Sequence, residues 1–202
     1  MTGIKNKPTE DRQHSFIFNK TEIEQLTEEQ GGAWGLNHSK RLIHLISIIG
    51  DKEKYDDEIV WLSAHLHDWG GYEKWQKSGV VHAVRSKEVA EIYLQEREYP
   101  QEKVEKILEC IVKHHKAENS DSIEAKLMFD ADALDFLGCV GVLRMFSMKP
   151  RDMKAAYETA KKRRDQLPDK LCLEKSKEIA IERLERMDQM LTWFEQETYK
   201  YF

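Results

Sequence analysis

The sequence predicts an all-α protein. Apolar residues recur three, four and seven apart along most of the chain. Sustained alternation bounded by turn residues, the mark of strands, is nearly absent. Gly, Pro and short polar residues fall where helices of ordinary length would begin and end.

Residues 1–20 carry no periodicity and read as a frayed segment. Thr21 with Glu24 forms a capping-box pattern, which predicts a short helix ended by Gly31, Gly32 and Gly35. A second helix is expected from about Leu36 to Ile49, with Gly50 as its stop. Asp56 or Asp57 caps a third, running through Asp68. Gly70, Gly71 and Gly79 frame a loop. A fourth helix covers about Val81 to Glu98 and ends before Pro100. A fifth runs from Gln101 to about Lys116, and Asp121 with Glu124 caps a sixth to about Leu137. Pro150 starts a seventh segment, which Pro168 separates from a long amphipathic helix bearing Ile179, Leu184, Met187, Leu191 and Phe194. Residues 21–150 form one domain in this reading, and residues 151–202 pack on it. A homodimer contact or an active-site lid is the alternative role for the last helix.

Composition narrows the class. The chain has 202 residues, 40% hydrophobic and 34% charged, which suits a globular protein with a real core. No apolar run is long enough to cross a bilayer, and the N-terminal stretch lacks a signal-type apolar segment, so the expected location is cytoplasmic and no membrane partner is expected. Cys110, Cys139 and Cys172 lie far apart with no CxxC pair, which argues against a disulfide framework or a zinc ribbon. A net charge of -5 argues against a nucleic-acid polymer as partner. A small phosphate compound, including a single nucleotide, remains open, because local basic groups can hold a phosphate.

Several ionisable residues fall on core-facing stripes. His38 shares a face with Leu42, Leu45 and Ile49. Asp132 shares one with Ala125, Met128, Phe129, Phe136 and Cys139, and His67 ends a helix containing Ile59, Val60, Leu62 and Leu66. His82 aligns with Val89 and Tyr93, while His114 and His115 extend the stripe of Val104, Ile107, Leu108 and Ile111. A buried ionisable group must be paired, hydrogen-bonded or metal-bound. For one histidine alone, a satisfied core position is the plainer reading. Several helices each aiming a His or Asp inward point instead to a divalent transition metal. Asp130 points away from the Asp132 stripe and reads as solvated or as a helix-terminal partner, and Asp135 is placed to support a ligand. His44 and His65 read as surface or supporting residues, and His14 carries no signal.

These residues resemble a known family. AHLHDWG at 64–70 resembles the signature His-Asp pair of HD-domain phosphohydrolases. NHSKRL at 37–42 resembles their H-x-x-R-V element, and FDADALDFLG at 129–138 resembles the DADxLDxxG element of a group of small bacterial HD hydrolases. His82 and IVKHH at 111–115 sit where larger HD families place further histidines. The resemblance spans about His38 to Gly141. An HD dipeptide alone carries no weight; the ordered set H…HD…D does. Trp69 departs from the usual aliphatic residue, and the GYP motif of cyclic-di-GMP phosphodiesterases is missing after His115.

The resemblance implies an HD-domain helical bundle and a metal-dependent phosphohydrolase acting on a nucleotide or small phosphate ester. It implies a divalent ion (Mn, Fe, Mg, Co, Ni or Zn) on His38, His67, Asp68 and Asp132, with Asp68 central or bridging. Such an ion activates water, and positive groups must offset phosphate charge. Arg41, one turn from His38, and Lys74 are the candidates, with Lys40 and Arg85; for Lys40 and Lys74 a solvated charge is equally expected. The run Lys161 to Arg164 reads as a solvated face. A second ion would use His82 and one of the adjacent pair. Helical angle favours His115, while the I-x-x-H match favours His114, which is preferred here. The alternative is one ion, with His82 and His114 lining the pocket. A di-iron oxygenase using the same ligand order and a non-catalytic nucleotide-binding module are the rival functions. Trp34, Trp69, Tyr72 and Trp75 could stack on a base, though packing is the plainer role.

Overall fold

A computed structural model describes residues 19–116 and 120–202. Of the frayed segment expected over residues 1–20, residues 1–18, including His14, lie outside the described residues, while Asn19 and Lys20 begin the first helix. Among the described residues there are helices and no strands, as expected for the class. They are α1 (Lys20–Ile49), α2 (Asp57–Leu66), α3 (His82–Gln95), α4 (Gln101–Lys113), α5 (Ile123–Asp135), α6 (Gly138–Met148), α7 (Met153–Gln166) and α8 (Glu174–Glu197), with 3-10 turns at Trp69–Gly71 and Pro168–Lys170. None is long and apolar enough to cross a membrane.

The caps explain most boundaries, with two corrections. Asn19, not Thr21, caps α1, its side chain accepting from the Glu22 amide at 3.2 Å. Ser122, not Asp121, caps α5 by accepting from the Ala125 amide at 3.2 Å. Asp56 caps α2 through the Glu58 and Ile59 amides. The two helices expected before Gly50 meet at Gly32, whose non-helical φ of 64° and ψ of -177° suit glycine and kink α1 between one helical run and the next. α2 ends at Leu66 instead of running through Asp68, because the chain tightens into the 3-10 turn, where the Gly71 amide donates to Asp68 O at 2.9 Å.

The helix α6 is missing from the expectation. Its segment GCVGVLRMFSM starts at a glycine with φ of 73° and has no side-chain cap, so it reads locally as a loop. Tertiary packing against α7 and α8 supplies what local signals lack.

The core is built around α5, which is buried from Leu127 to Asp135. Leu42 and Ile46 of α1, Leu62 and Leu66 of α2, Ile107 and Ile111 of α4, and Met187 of α8 close around it, and α3 packs on α4 through the same buried core, which includes Leu94. Each such side chain contributes roughly 1.5–3 kcal/mol. A helix buried on all sides must satisfy its polar residues internally. Asp130 does so by accepting from the Cys172 and Leu173 amides, both at 2.8 Å, which pins the chain leading into α8. It is fully buried, so the helix-terminal reading holds and the solvated one fails. His65 also corrects an expectation: it is fully buried, with Nδ1 2.9 Å from Trp61 O and its ring stacked on Trp61.

Candidate metal centre

His67 and Asp68 emerge where α2 ends, directly below the kinked α1 and beside α5. His38 on α1 and Asp132 on α5 face them. His38 Nε2 lies 3.2 Å from Asp132 Oδ1 and 3.8 Å from Asp68 Oδ2, and His67 Nε2 lies 3.4 Å from Asp68 Oδ2. The other oxygen, Asp68 Oδ1, faces His82 Nε2 at 3.6 Å. Asp68 thus stands between two groups of histidines.

Hydrogen bonds assign the tautomers. His38 Nδ1 lies 2.8 Å from Asp135 Oδ2, and His67 Nδ1 lies 3.0 Å from Ala64 O. Both partners only accept, so each Nδ1 carries the proton. In the neutral rings, each Nε2 lone pair then faces a carboxylate oxygen. His38 Nε2 and Asp132 Oδ1 are both buried and lack a hydrogen-bond partner. Two buried acceptors facing each other are costly unless a cation or a proton lies between them. This donor set of imidazole nitrogen and carboxylate oxygen fits a divalent metal.

The protonation equilibria reflect how closely the imidazoles and carboxylates are set together. Burial disfavours the imidazolium of His67, but Asp68 and Asp132 outweigh it and raise its pKa. Burial likewise disfavours the carboxylate of Asp68, yet His67, His38 and His114 hold it well below the usual range. Asp132 is lowered in the same way, with His38 outweighing burial. Burial first, then His67, pushes His114 down to about 3, leaving it neutral and able to ligate.

His82, His114 and His115 form the second group. His82 Nε2 lies 3.3 Å from His114 Nε2 and 2.9 Å from His115 Nε2. The two sequence arguments for His114 and His115 therefore meet at one point: His114 is buried and His115 exposed, yet both rings reach His82. His82 is brought there by Gly70. A Cβ on Gly70 would meet Ser86 N at 2.2 Å and His82 O at 2.7 Å, so only glycine allows the 3-10 turn to sit on the first turn of α3.

Trp69 fills the core behind this turn. It is fully buried, donates Nε1 to Thr27 Oγ1 at 3.1 Å and stacks on Trp75. This packing accounts for its replacing an aliphatic residue. Neither Trp69 nor Trp75 lines the cavity at the centre, whereas Trp34 and Tyr72 do.

That cavity has a volume of about 400 Å³, in the range of small-molecule sites. Its walls include Asp68, His82, His114, His115 and Asp132 together with Phe136, Met148, Arg144 and Arg163. None of the four cations expected from the sequence lines it. Arg41 is held behind His38 by Asp135, with Nε donating at 2.7 Å and Nη2 at 2.9 Å. Lys74 is exposed, its Nζ over the Trp75 ring, and Lys40 is exposed. Arg85 donates to Trp75 O and Glu88. The cations of the cavity are Arg144 and Arg163. Arg144 lies on the unanticipated α6, three residues after the buried Gly141, a face position that could have marked it. Arg163 corrects the reading of Lys161 to Arg164 as a solvated face, since its side chain is long enough to fold back over Phe136.

The HD domain family model matches residues 35–137. Among solved structures, the Lin1889 protein from Listeria innocua is 23% identical with a TM-score of 0.65, covering 92% of this chain and 100% of that one. Bacillus subtilis YpgQ in complex with ADP is 26% identical with a TM-score of 0.66, covering 87% and 96%. A Bacillus thuringiensis HD-superfamily hydrolase is 20% identical with a TM-score of 0.66, covering 89% and 96%. No curated protein sequence matches.

Proposed function

The chain belongs to the HD domain family, and from that premise we propose that it is a metal-dependent phosphohydrolase acting on a nucleotide or other small phosphate ester. The observation that carries this reading is the position of Asp68, with one oxygen toward His38 and His67 and the other toward His82. His38, His67, Asp68 and Asp132 would hold a divalent ion, and His82, His114 and His115 would hold a second. A divalent ion in such a site supplies Lewis acidity and a water acidic enough to ionise near neutral pH.

The chain's own residues prepare the reaction. Asp135 orients His38 through Nδ1 and so keeps its Nε2 lone pair in the cavity. Neutral His114, buried beside Asp68, is in the form that ligates or accepts a proton. Trp34, Tyr72 and Phe136 wall the cavity with apolar surface and limit water around the reacting group. Arg144 and Arg163 provide positive charge in the same cavity, where phosphate charge needs an offset. The ADP complex of YpgQ supports a ligand of nucleotide size. We take α6 to α8 as part of the same functional unit, since α6 and α7 supply these arginines.

A phosphate-release screen tests the reading. Nucleotides and phosphomonoesters are incubated with Mn, Mg, Co, Ni, Zn or Fe, and phosphate release abolished by chelator is expected. Oxygen consumption with an organic substrate and no phosphate release would replace it with the oxygenase function.

A further inference from the structure

The last turn of α5 is acidic. Asp132 and Asp135 both lie in it, both are buried, and no basic residue of α5 accompanies them there. The C-terminal end of a helix already carries roughly half a negative charge, from carbonyls that no further turn satisfies. Two carboxylates at that end are set against the helix's own field, so other elements must supply the compensation. Arg41 of α1 and Arg144 of α6 do so for the Asp135 side chain.

Arg183 of α8 addresses the backbone instead. Its Nη1 donates to Leu134 O at 2.6 Å, an acceptor that also receives the Leu137 amide at 3.0 Å. A hydrogen bond from a guanidinium is charge-assisted and about twice as strong as one between neutral groups. Arg183 is half-buried, and among the described residues no carboxylate pairs with it. Burial disfavours its cation, and the field that most favours it comes from Asp135. Its stem packs under the turn between α5 and α6, where Gly138 starts α6 at a φ of 73°; a Cβ there would lie 3.5 Å from Arg183 Cβ and Cγ.

The Leu134 carbonyl and the Asp135 amide belong to one planar peptide unit. Holding that carbonyl fixes the plane, and the plane sets the direction in which the Asp135 side chain leaves the helix. Asp135 Oδ2 meets His38 Nδ1 at 2.8 Å, and His38 Nε2 then faces Asp132 Oδ1 at 3.2 Å. Arg183 is thus joined to the centre through one peptide and one carboxylate, although it does not line the cavity.

Taking the cavity as the metal site proposed above, we infer that Arg183 is a positioning residue of that site: by holding the Leu134 carbonyl and offsetting the negative end of α5, it keeps Asp135, and through it His38, aimed for the ion. Arg183 lies on α8, beyond the residues 35–137 that match the HD model, so the C-terminal helix shapes a centre to which it gives no ligand.

The test is titration of the full chain with Mn(II), or with Zn(II) if Mn(II) does not bind. Wild type is compared with Arg183→Met, Arg183→Lys and Met187→Ala. Methionine keeps an apolar stem and removes the charge and its donors. Met187 is a buried residue of the same helix, one turn on, so Met187→Ala loosens α8 while leaving Arg183 in place. Arg183→Met is expected to bind the ion about tenfold more weakly, the lower end of what an orienting partner contributes. Arg183→Lys should recover part of that loss, because an ammonium keeps the charge and a donor but not the fork. Met187→Ala should lower the melting temperature at least as far and leave the affinity within about twofold of wild type. An Arg183→Met protein that binds the ion like wild type, or a Met187→Ala protein weakened to the same extent, overturns the inference while the metal reading stands. If Arg183→Met does not fold, Arg183→Lys against Met187→Ala decides in the same way, with a weakening in the lysine variant alone expected. A wild type that binds neither ion ends the metal reading and this inference with it. Arg183-dependent binding in a protein that releases phosphate from no ester would uphold the inference and end the hydrolase reading.

Discussion

Asp135 Oδ2 lies 2.8 Å from His38 Nδ1, and this contact decides which nitrogen of the ring faces Asp132. The same carboxylate receives Arg41 and Arg144, so it orients the metal-facing imidazole and a cavity arginine at once. Burial opposes its ionisation, but His38 and Arg41 outweigh that and hold its pKa below the usual carboxylate range.

Asp135→Asn should therefore act at a distance from the ions. It keeps the shape but removes the charge that fixes the His38 tautomer. We expect metal affinity about 10–100-fold weaker, with the helical spectrum retained. Metal titration followed by circular dichroism measures both, and unchanged affinity would show that His38 needs no orienting partner.

Asp68→Ala removes a carboxylate whose two oxygens face the two histidine groups. The bound metal and the phosphate release should both be lost. The fold should persist, since the side chain is partly exposed and the core lies elsewhere. Elemental analysis of the purified variant beside wild type checks this. Retention of metal together with activity would displace Asp68 from the centre.

Metal stoichiometry distinguishes one ion from two. With His82, His114 and His115 converging, two ions per chain are expected at saturation. His82→Ala should lower this to one while the His38 and His67 group keeps its ion. One ion per chain in the wild type, unchanged by His82→Ala and His114→Ala, would assign those histidines to the pocket wall.

His65 predicts a pH dependence of stability away from the cavity. Burial above all pushes its pKa down to about 4, against an ordinary value of 6.5. The unfolded chain therefore takes a proton below about 6.5 that the folded chain refuses until about 4. Stability should be fully present above that window and fall as pH drops through it, by up to about 3 kcal/mol for this group. Urea unfolding in chelator at several pH values measures the loss. His65→Phe should flatten part of the slope; an unaltered slope would place its origin in other groups.

The reach of the sequence differs from element to element. α2 and α4 announce themselves by apolar spacing and by Asp56 and Pro100 at their starts, and α8 by apolar spacing after the break that Pro168 makes behind α7. His38, His67 and Asp132 are legible because each sits on an otherwise apolar helical face or at its end, and the resemblance to the HD family adds Asp68 and the order of the set. α6 is not, since a glycine start and an uncapped first turn give no local signal, and with it Arg144 is missed.

What the sequence by itself determined is the helical class and, because helix periodicity turns spacing into direction, the inward faces of His38 and Asp132 and the place of His67 at a helix end; Asp68 was marked by the resemblance of AHLHDWG to the family's His-Asp pair. Only the tertiary structure decided how the charges pair. Arg41, one turn from His38, is drawn to Asp135 behind the ring, and Arg163, in a stretch that reads as solvated, folds over Phe136 into the cavity. A long side chain spans several ångströms from its backbone, so its partner is chosen by what other helices bring within reach and not by its own position along the chain.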